Sequence, residues 1–194
     1  MFERELATTA AAMVTPGKGL LAIDESSGTI KKRFDSIALE SNAETRRGYR
    51  ELLITAQGLS QFISGMILYD ETIRQSARDG TPFADALRKN GILVGIKVDT
   101  GAKALAGAAR EQVTEGLDGL RERLAEYKKL GAVFAKWRAV INVGREIPSE
   151  YCIDANAHAL ARYAALCQEA GIVPVVEPEV LMDGEHTLER SFDV

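Results

Sequence analysis

Lys136 and Arg138 stand two residues apart in Phe134-Ala135-Lys136-Trp137-Arg138, and Glu177 and Glu179 stand two apart in Val176-Glu177-Pro178-Glu179-Val180. In an extended strand, residues two apart share a face, so each pair projects to one side. The same arrangement recurs at Lys97 and Asp99, and Asp24 closes the run Leu20-Leu21-Ala22-Ile23-Asp24. A lysine ending a buried strand must be paired, solvated in a cavity or shifted in pKa, because burial disfavours its ammonium. Asp24, Glu177 and Glu179 are carboxylates of the kind that pair with it. If both glutamates reach one cavity, repulsion raises the pKa of one unless the lysines neutralise it. A carboxylate so placed can shuttle protons near neutral pH. One such pair would read as a structural salt bridge. Charge on four strand tips implies a cavity lined with charge, as in an α/β site assembled from many strands.

Asp24-Glu25-Ser26-Ser27-Gly28-Thr29 follows the first apolar run directly. Ser26 or Ser27 can cap the helix that follows. The same hydroxyls at a helix start also suit a phosphate, and on local grounds the two readings stand level. Lys31-Lys32-Arg33 reads as a solvated helix face, with phosphate contact as the functional alternative. Asp70 and Glu71 read as an acidic pair favouring a helix N-terminus. Cys152 and Cys167 make neither a disulfide framework nor zinc spacing, and Cys167 reads as plain core. His158 and His186 have no neighbouring ligands at metal spacing, so no metal is expected, and no cofactor.

These residues need a scaffold, and the 194 residues are 46% hydrophobic and 27% charged, ordinary for a globular chain. The net charge of −4 and the lack of a basic stripe argue against nucleic-acid binding. No apolar run is long enough to span a bilayer, and without a secretory signal a reducing cytoplasm is the expected compartment. Expected strands are Gly19–Asp24, Ile63–Tyr69, Leu93–Val98, Val133–Arg138 and Ile172–Glu177. They are continuously apolar, as parallel strands covered on both faces should be. Helices are expected at 2–13, 29–37, 43–57 and 156–170. Another carries the stripe Leu117, Leu120, Leu124, Tyr127 and Leu130 before Gly131. On 156–170 the expected stripe is Ala157, Leu160, Ala161, Ala164 and Cys167. His186-Thr187-Leu188-Glu189-Arg190 begins one more helical pattern. The alternation predicts a single α/β domain over residues 1–194.

These motifs together resemble class I fructose-bisphosphate aldolase, the Schiff-base-forming, metal-independent (β/α)8 barrel enzyme of glycolysis. The resemblance runs through Gly19-Leu20-Leu21-Ala22-Ile23-Asp24-Glu25-Ser26, Leu68-Tyr69-Asp70-Glu71-Thr72 and Gly95-Ile96-Lys97-Val98-Asp99. It continues through Phe134-Ala135-Lys136-Trp137-Arg138 and Pro174-Val175-Val176-Glu177-Pro178-Glu179, in order along all 194 residues. It implies a (β/α)8 TIM barrel of which this chain supplies about the first five βα units. The implied reaction is reversible cleavage of fructose 1,6-bisphosphate to dihydroxyacetone phosphate and glyceraldehyde 3-phosphate.

The resemblance also implies roles. Asp24 supports carbon–carbon cleavage and orients the Schiff-base lysine. Lys136 assists carbinolamine formation, Glu177 is the general acid/base, and Glu179 helps hold the lysine cluster. Lys97 and Arg138 bind sugar phosphate, and Ser26, Thr29 and Arg33 surround the phosphate distal to the Schiff base. The family's Schiff-base lysine stands on the sixth strand, beyond the five counted here. The expectation is therefore the N-terminal part of an aldolase, inactive alone, with a small sugar phosphate as partner. Homotetramers are expected only by family likeness. The alternatives are a non-catalytic half-barrel that binds sugar phosphates or a complementing partner, and Lys97 or Lys136 as a substitute nucleophile.

Overall fold

The computed structural model describes residues 2–194. Five parallel strands form one sheet: β1 (Gly19–Ile23), β2 (Ile63–Leu68), β3 (Leu93–Lys97), β6 (Phe134–Ile141) and β7 (Val173–Val180). They stand side by side in chain order, and between β3 and β6 is inserted an antiparallel hairpin of β4 (Gly101–Ala104) and β5 (Gln112–Glu115). Helices α1 (Glu3–Met13), α2 (Ser27–Asp35), α3 (Ala43–Ile54), α4 (Asp70–Ile73), α5 (Phe83–Lys89), α6 (Leu120–Lys129), α7 (Glu150–Glu169) and α8 (Leu188–Asp193) complete the βα alternation. The expected strands are all present. β6 and β7 run three residues further than the apolar pattern shows, because Ala139, Val140 and Ile141 continue to pair with Pro178, Glu179 and Val180.

The two faces of the sheet are built differently. Val94, Ile96, Ala135, Trp137 and Ala139 point outward into a large core shared with the helices. There the Trp137 ring lies 5.4 Å from that of Tyr163 on α7, and the Tyr163 hydroxyl donates to the Ala135 carbonyl at 2.7 Å. On the inner face, Phe134 packs with Ile67 and Met13. Its ring occupies the space above Gly65 and Gly95. A Cβ built on Gly95 would stand 2.3 Å from a ring carbon, and one on Gly65 would stand 2.9 Å away. The two glycines are therefore what allows an aromatic ring to close the bottom of the inner face.

The stripe predicted before Gly131 is the buried face of α6, with Leu120, Leu124 and Tyr127 in the core. The stripe predicted on α7 is corrected in part: Leu160 and Cys167 lie in the core and Ala164 packs against it, but two members do not. Ala157 and Ala161 are exposed, and the buried row is Cys152, Asn156, Leu160, Tyr163 and Cys167. α7 also starts at Glu150, six residues before the expected start. Counting alanines as core misjudged the face, since Tyr163 and Asn156 find hydrogen-bond partners that make their burial favourable. The short helix α4 starts at Asp70, where the Asp70-Glu71 pair was read as a helix N-terminus, whereas the hairpin and α5 have no counterpart in the sequence reading.

The sheet is an open arc whose outer strands are β1 and β7. β1 and β6 are three places apart, a separation of about 14 Å in a flat sheet. Yet Lys136 of β6 places its ammonium 3.4 Å from the carboxylate of Asp24, the residue after β1. The arc curls inward, and its concave face carries the charged residues.

Candidate functional site

The alternation of a strand decides what reaches the concave face. Inner rows read Leu20, Ala22, Asp24; then Gly65, Ile67, Tyr69; then Leu93, Gly95, Lys97, Asp99. They continue with Phe134, Lys136, Arg138 and with Val173, Val175, Glu177, Glu179. Each row is small or apolar at its N-terminal end and polar at its C-terminal end. The polar ends line a cavity of about 480 Å³ at the C-terminal rim of the sheet, and residues 100–102 of the hairpin form one wall.

Lys136 is at its centre. Its Nζ lies 3.1 Å from Glu177 Oε2 and 3.4 Å from Asp24 Oδ2. Burial pushes the Lys136 pKa down, but the two carboxylates push it up by more, and the net shift is upward. Lys97 is the register partner of Lys136. Side-by-side cations repel, and each is offset by its own acid. Lys97 Nζ donates to the Asp99 carboxylate and, at 3.0 Å, to the Asp99 carbonyl. Asp99 also accepts from the amide of Gly101 at 3.1 Å and from that of Arg138 at 3.3 Å. It thereby fixes the hairpin against β3 and β6.

Arg138 pairs with Glu179. That hydrogen bond outweighs desolvation and holds the Glu179 carboxyl below its ordinary value. The expected repulsion between Glu177 and Glu179 is thus answered, because each glutamate has its own cation. In all, the cavity presents five carboxylates and three cations. Its cations are spoken for, and a phosphate entering it has to take the place of a carboxylate.

Ser26 is the N-cap of α2, accepting from the Thr29 amide at 3.4 Å, with the two hydroxyls 3.1 Å apart. Both residues line the cavity. Asp24, Ser26, Thr29, Lys97, Lys136, Arg138, Glu177 and Glu179 are therefore brought together as anticipated. Arg33 is not. Its guanidinium turns to Glu25, near the Tyr49 hydroxyl at 3.4 Å, and stays outside the cavity. The cause is Glu25, which the buried Arg50 also grips, through its carboxylate and through its carbonyl at 2.8 Å. Burial would raise the Glu25 pKa, yet Arg50 and Arg33 bring it below its ordinary value. Lys31 pairs with Asp35 on the exposed face of α2, in keeping with the solvated-face reading of that basic run.

Tyr69, Asp99 and Glu25 also line the cavity, and none was singled out as a site residue. Tyr69 and Asp99 were within reach of the two-residue period, lying two beyond Ile67 and Lys97. The hairpin wall had no such signal. It is held by long-range contacts, with Asn156 on α7 bonding Gln112 and Thr114, and Thr114 bonding the Arg138 carbonyl at 2.8 Å. No three or more His, Cys, Asp or Glu side chains are placed to hold a metal ion together among the described residues. No described helix is long and apolar enough to cross a membrane.

Comparison with known proteins assigns this arrangement. The family model for class-I fructose-bisphosphate aldolase matches residues 5–194. The chain belongs to the class-I fructose-bisphosphate aldolase family. It is 64% identical over 190 residues to a probable class 1 fructose-bisphosphate aldolase of Xanthomonas campestris, covering 98% of this chain and 57% of that protein. It is 56% identical to the fructose-bisphosphate aldolase of Dictyostelium discoideum, covering all of this chain and 55% of that protein. A crystal structure of the Plasmodium falciparum aldolase superposes with a TM-score of 0.94 at 49% identity, over 96% of this chain and 54% of that one. The five strands are thus an arc of the aldolase (β/α) barrel, and the chain spans little more than half the length of these relatives.

Proposed function

We propose that the chain supplies the acid–base and phosphate-binding part of a fructose-bisphosphate aldolase site, acting on fructose 1,6-bisphosphate through a Schiff base. The observation that carries this reading is Lys136 held between Asp24 and Glu177, at 3.4 and 3.1 Å, within a chain of this family. In the proposed reaction an amine adds to the C2 carbonyl, and the carbinolamine loses water with Glu177 as proton donor. The resulting iminium accepts the electron pair of the C3–C4 bond as it breaks, and the C4 hydroxyl proton passes to a carboxylate, the role assigned to Asp24. Lys136 stands between those two acids and assists carbinolamine formation, and Glu179 holds Arg138 in place. Lys97 and Arg138 take a phosphate by exchanging Asp99 and Glu179 for it, with Ser26 and Thr29 at the other phosphate. Arg33 joins them by leaving Glu25, which Arg50 still neutralises. The nucleophilic amine is neither Lys97 nor Lys136, because each is already committed to carboxylates, which opposes nucleophilic attack.

That commitment favours a second reading for the 194 residues taken alone, as a half-barrel that binds sugar phosphate without turnover. One experiment separates the two. Natively expressed protein is treated with dihydroxyacetone phosphate and borohydride, and its intact mass and labelled peptide are determined. One substrate adduct on a lysine other than Lys97 and Lys136 is the result expected for the aldolase. No adduct, with saturable binding of fructose 1,6-bisphosphate, leaves the half-barrel. An adduct on Lys97 or Lys136 would overturn the assignment of roles.

A further inference from the structure

A second cavity, of about 520 Å³, opens where the loop after β6 meets the loop after β7. Arg145 and Arg190 line it, with Glu185, His186 and Thr187. Its electrostatics are the reverse of the first cavity's. Neither arginine has an ion-pair partner among the described residues. The Arg190 guanidinium donates only to the Ile147 carbonyl, at 3.1 Å, and that of Arg145 makes no hydrogen bond. Glu185 shares the cavity but pairs with neither. His186 adds a buried Nδ1 with no hydrogen-bond partner, and a buried polar atom left unpaired is costly. Two guanidiniums without ion-pair partners among the described residues line one open space, which suits an acceptor-only, multiply charged group. A planar fork suits a phosphate, which can accept from both arginines at once.

We propose that this cavity is a phosphate site, separate from the cavity around Lys136, taking inorganic phosphate or the phosphate of a small ester. The volume leaves room for an organic group beside the phosphate. Bound there, the phosphate joins the β6–α7 loop to the β7–α8 segment, through Arg145 on one side and Arg190 on the other. The inference does not depend on the aldolase reaction, since none of these side chains takes part in it.

The test is equilibrium dialysis of the 194-residue chain against radiolabelled inorganic phosphate at constant ionic strength. Saturable binding is expected, weakened at least tenfold in Arg145→Gln and again in Arg190→Gln. Glu185→Gln, which removes the one carboxylate of the cavity, is expected to tighten it severalfold. Lys97→Met, in the other cavity, should leave this binding in place. Arg145 donates no hydrogen bond to the protein, so its replacement tests the site without endangering the fold. Glycerol 3-phosphate bound more tightly than phosphate identifies an ester as the occupant, and equal affinity identifies the free ion. Absence of saturable binding would overturn the proposal, as would binding lost in Lys97→Met and unchanged in Arg145→Gln.

Discussion

The central strands and the edge strands of this sheet carry opposite charges. Lys97, Lys136 and Arg138 stand on β3 and β6, which have a neighbour on each side, whereas Glu177 and Glu179 stand on β7 and Asp24 directly follows β1, strands that have one; Asp99, just past β3, is the exception, and it is the acid that offsets Lys97. The division follows from burial. β2 and β3 are almost wholly covered, while β1 and β7 are partly exposed along most of their length. Long cationic side chains can root their apolar stems in a dry central strand and deliver the charge to the cavity. Short carboxylates need water or a partner nearby, and the edges provide both. The ion pairs of Lys136 with Asp24 and Glu177 consequently tie both edges to the centre. The chemistry of the site and the curl of the sheet rest on the same contacts.

The comparison breaks first at the centre. Gly95→Ala drives a methyl to 2.3 Å from the Phe134 ring. Overpacking of this kind costs about 3 kcal/mol, the largest effect expected here, read as a lower urea midpoint at an unchanged slope. Phe134→Leu in the same chain should return part of the loss. If Gly95→Ala melts like the parent, the inner face is not packed on that ring.

Lys136→Met comes next, leaving Asp24 and Glu177 without their cation. Loss of a half-buried charge partner should cost about 2 kcal/mol near neutral pH. The deficit should shrink as the pH falls, because the two carboxylates can then protonate. In the parent the sign is the opposite. The Lys136 pKa is raised by folding, so its contribution is fully present below the ordinary lysine pKa and is lost as the pH climbs through the folded value. Stability curves of parent and variant measured from pH 4 to 11 should lie furthest apart near neutral pH and draw together toward either end. Parallel curves would mean that Lys136 does not bind the edges to the centre.

The strands and the inner-face residues were legible because they rest on local rules. Period two placed Lys97, Lys136, Arg138, Glu177 and Glu179 together, and continuous apolar runs marked buried parallel strands. What was not legible rests on contacts distant in sequence. Arg33 left the expected cluster because Arg50, 25 residues after Glu25, holds that glutamate where Arg33 can reach it. The hairpin β4–β5 has weak strand composition and owes its place to Asn156 and Asp99. The α7 stripe turned on which polar residues found partners, a question no periodicity answers.

Smaller perturbations separate centre from edge more finely. Glu179→Gln removes the partner of Arg138 on β7. Both side chains are more than a third exposed, at 37% and 43%, so water screens the pair and about 0.5 kcal/mol is expected. Because folding lowers the Glu179 pKa, this contribution is present above the ordinary carboxylate range and is lost as the pH falls through the folded value. The difference between parent and Glu179→Gln should therefore vanish in acid.

The smallest effect, that of Val176→Thr at the edge, is read against the same substitution at the centre. Val94→Thr, in β3 at 1% exposure, puts a hydroxyl into the dry core and should cost about 2 kcal/mol. Val176→Thr, in β7 at 47% exposure, leaves that hydroxyl in water and should stay within about 0.5 kcal/mol of the parent. The ratio of the two, from denaturant midpoints, measures how much drier the centre is than the edge. If Val176→Thr costs as much as Val94→Thr, the outer face of β7 is covered in solution, and the edge of this arc is not free.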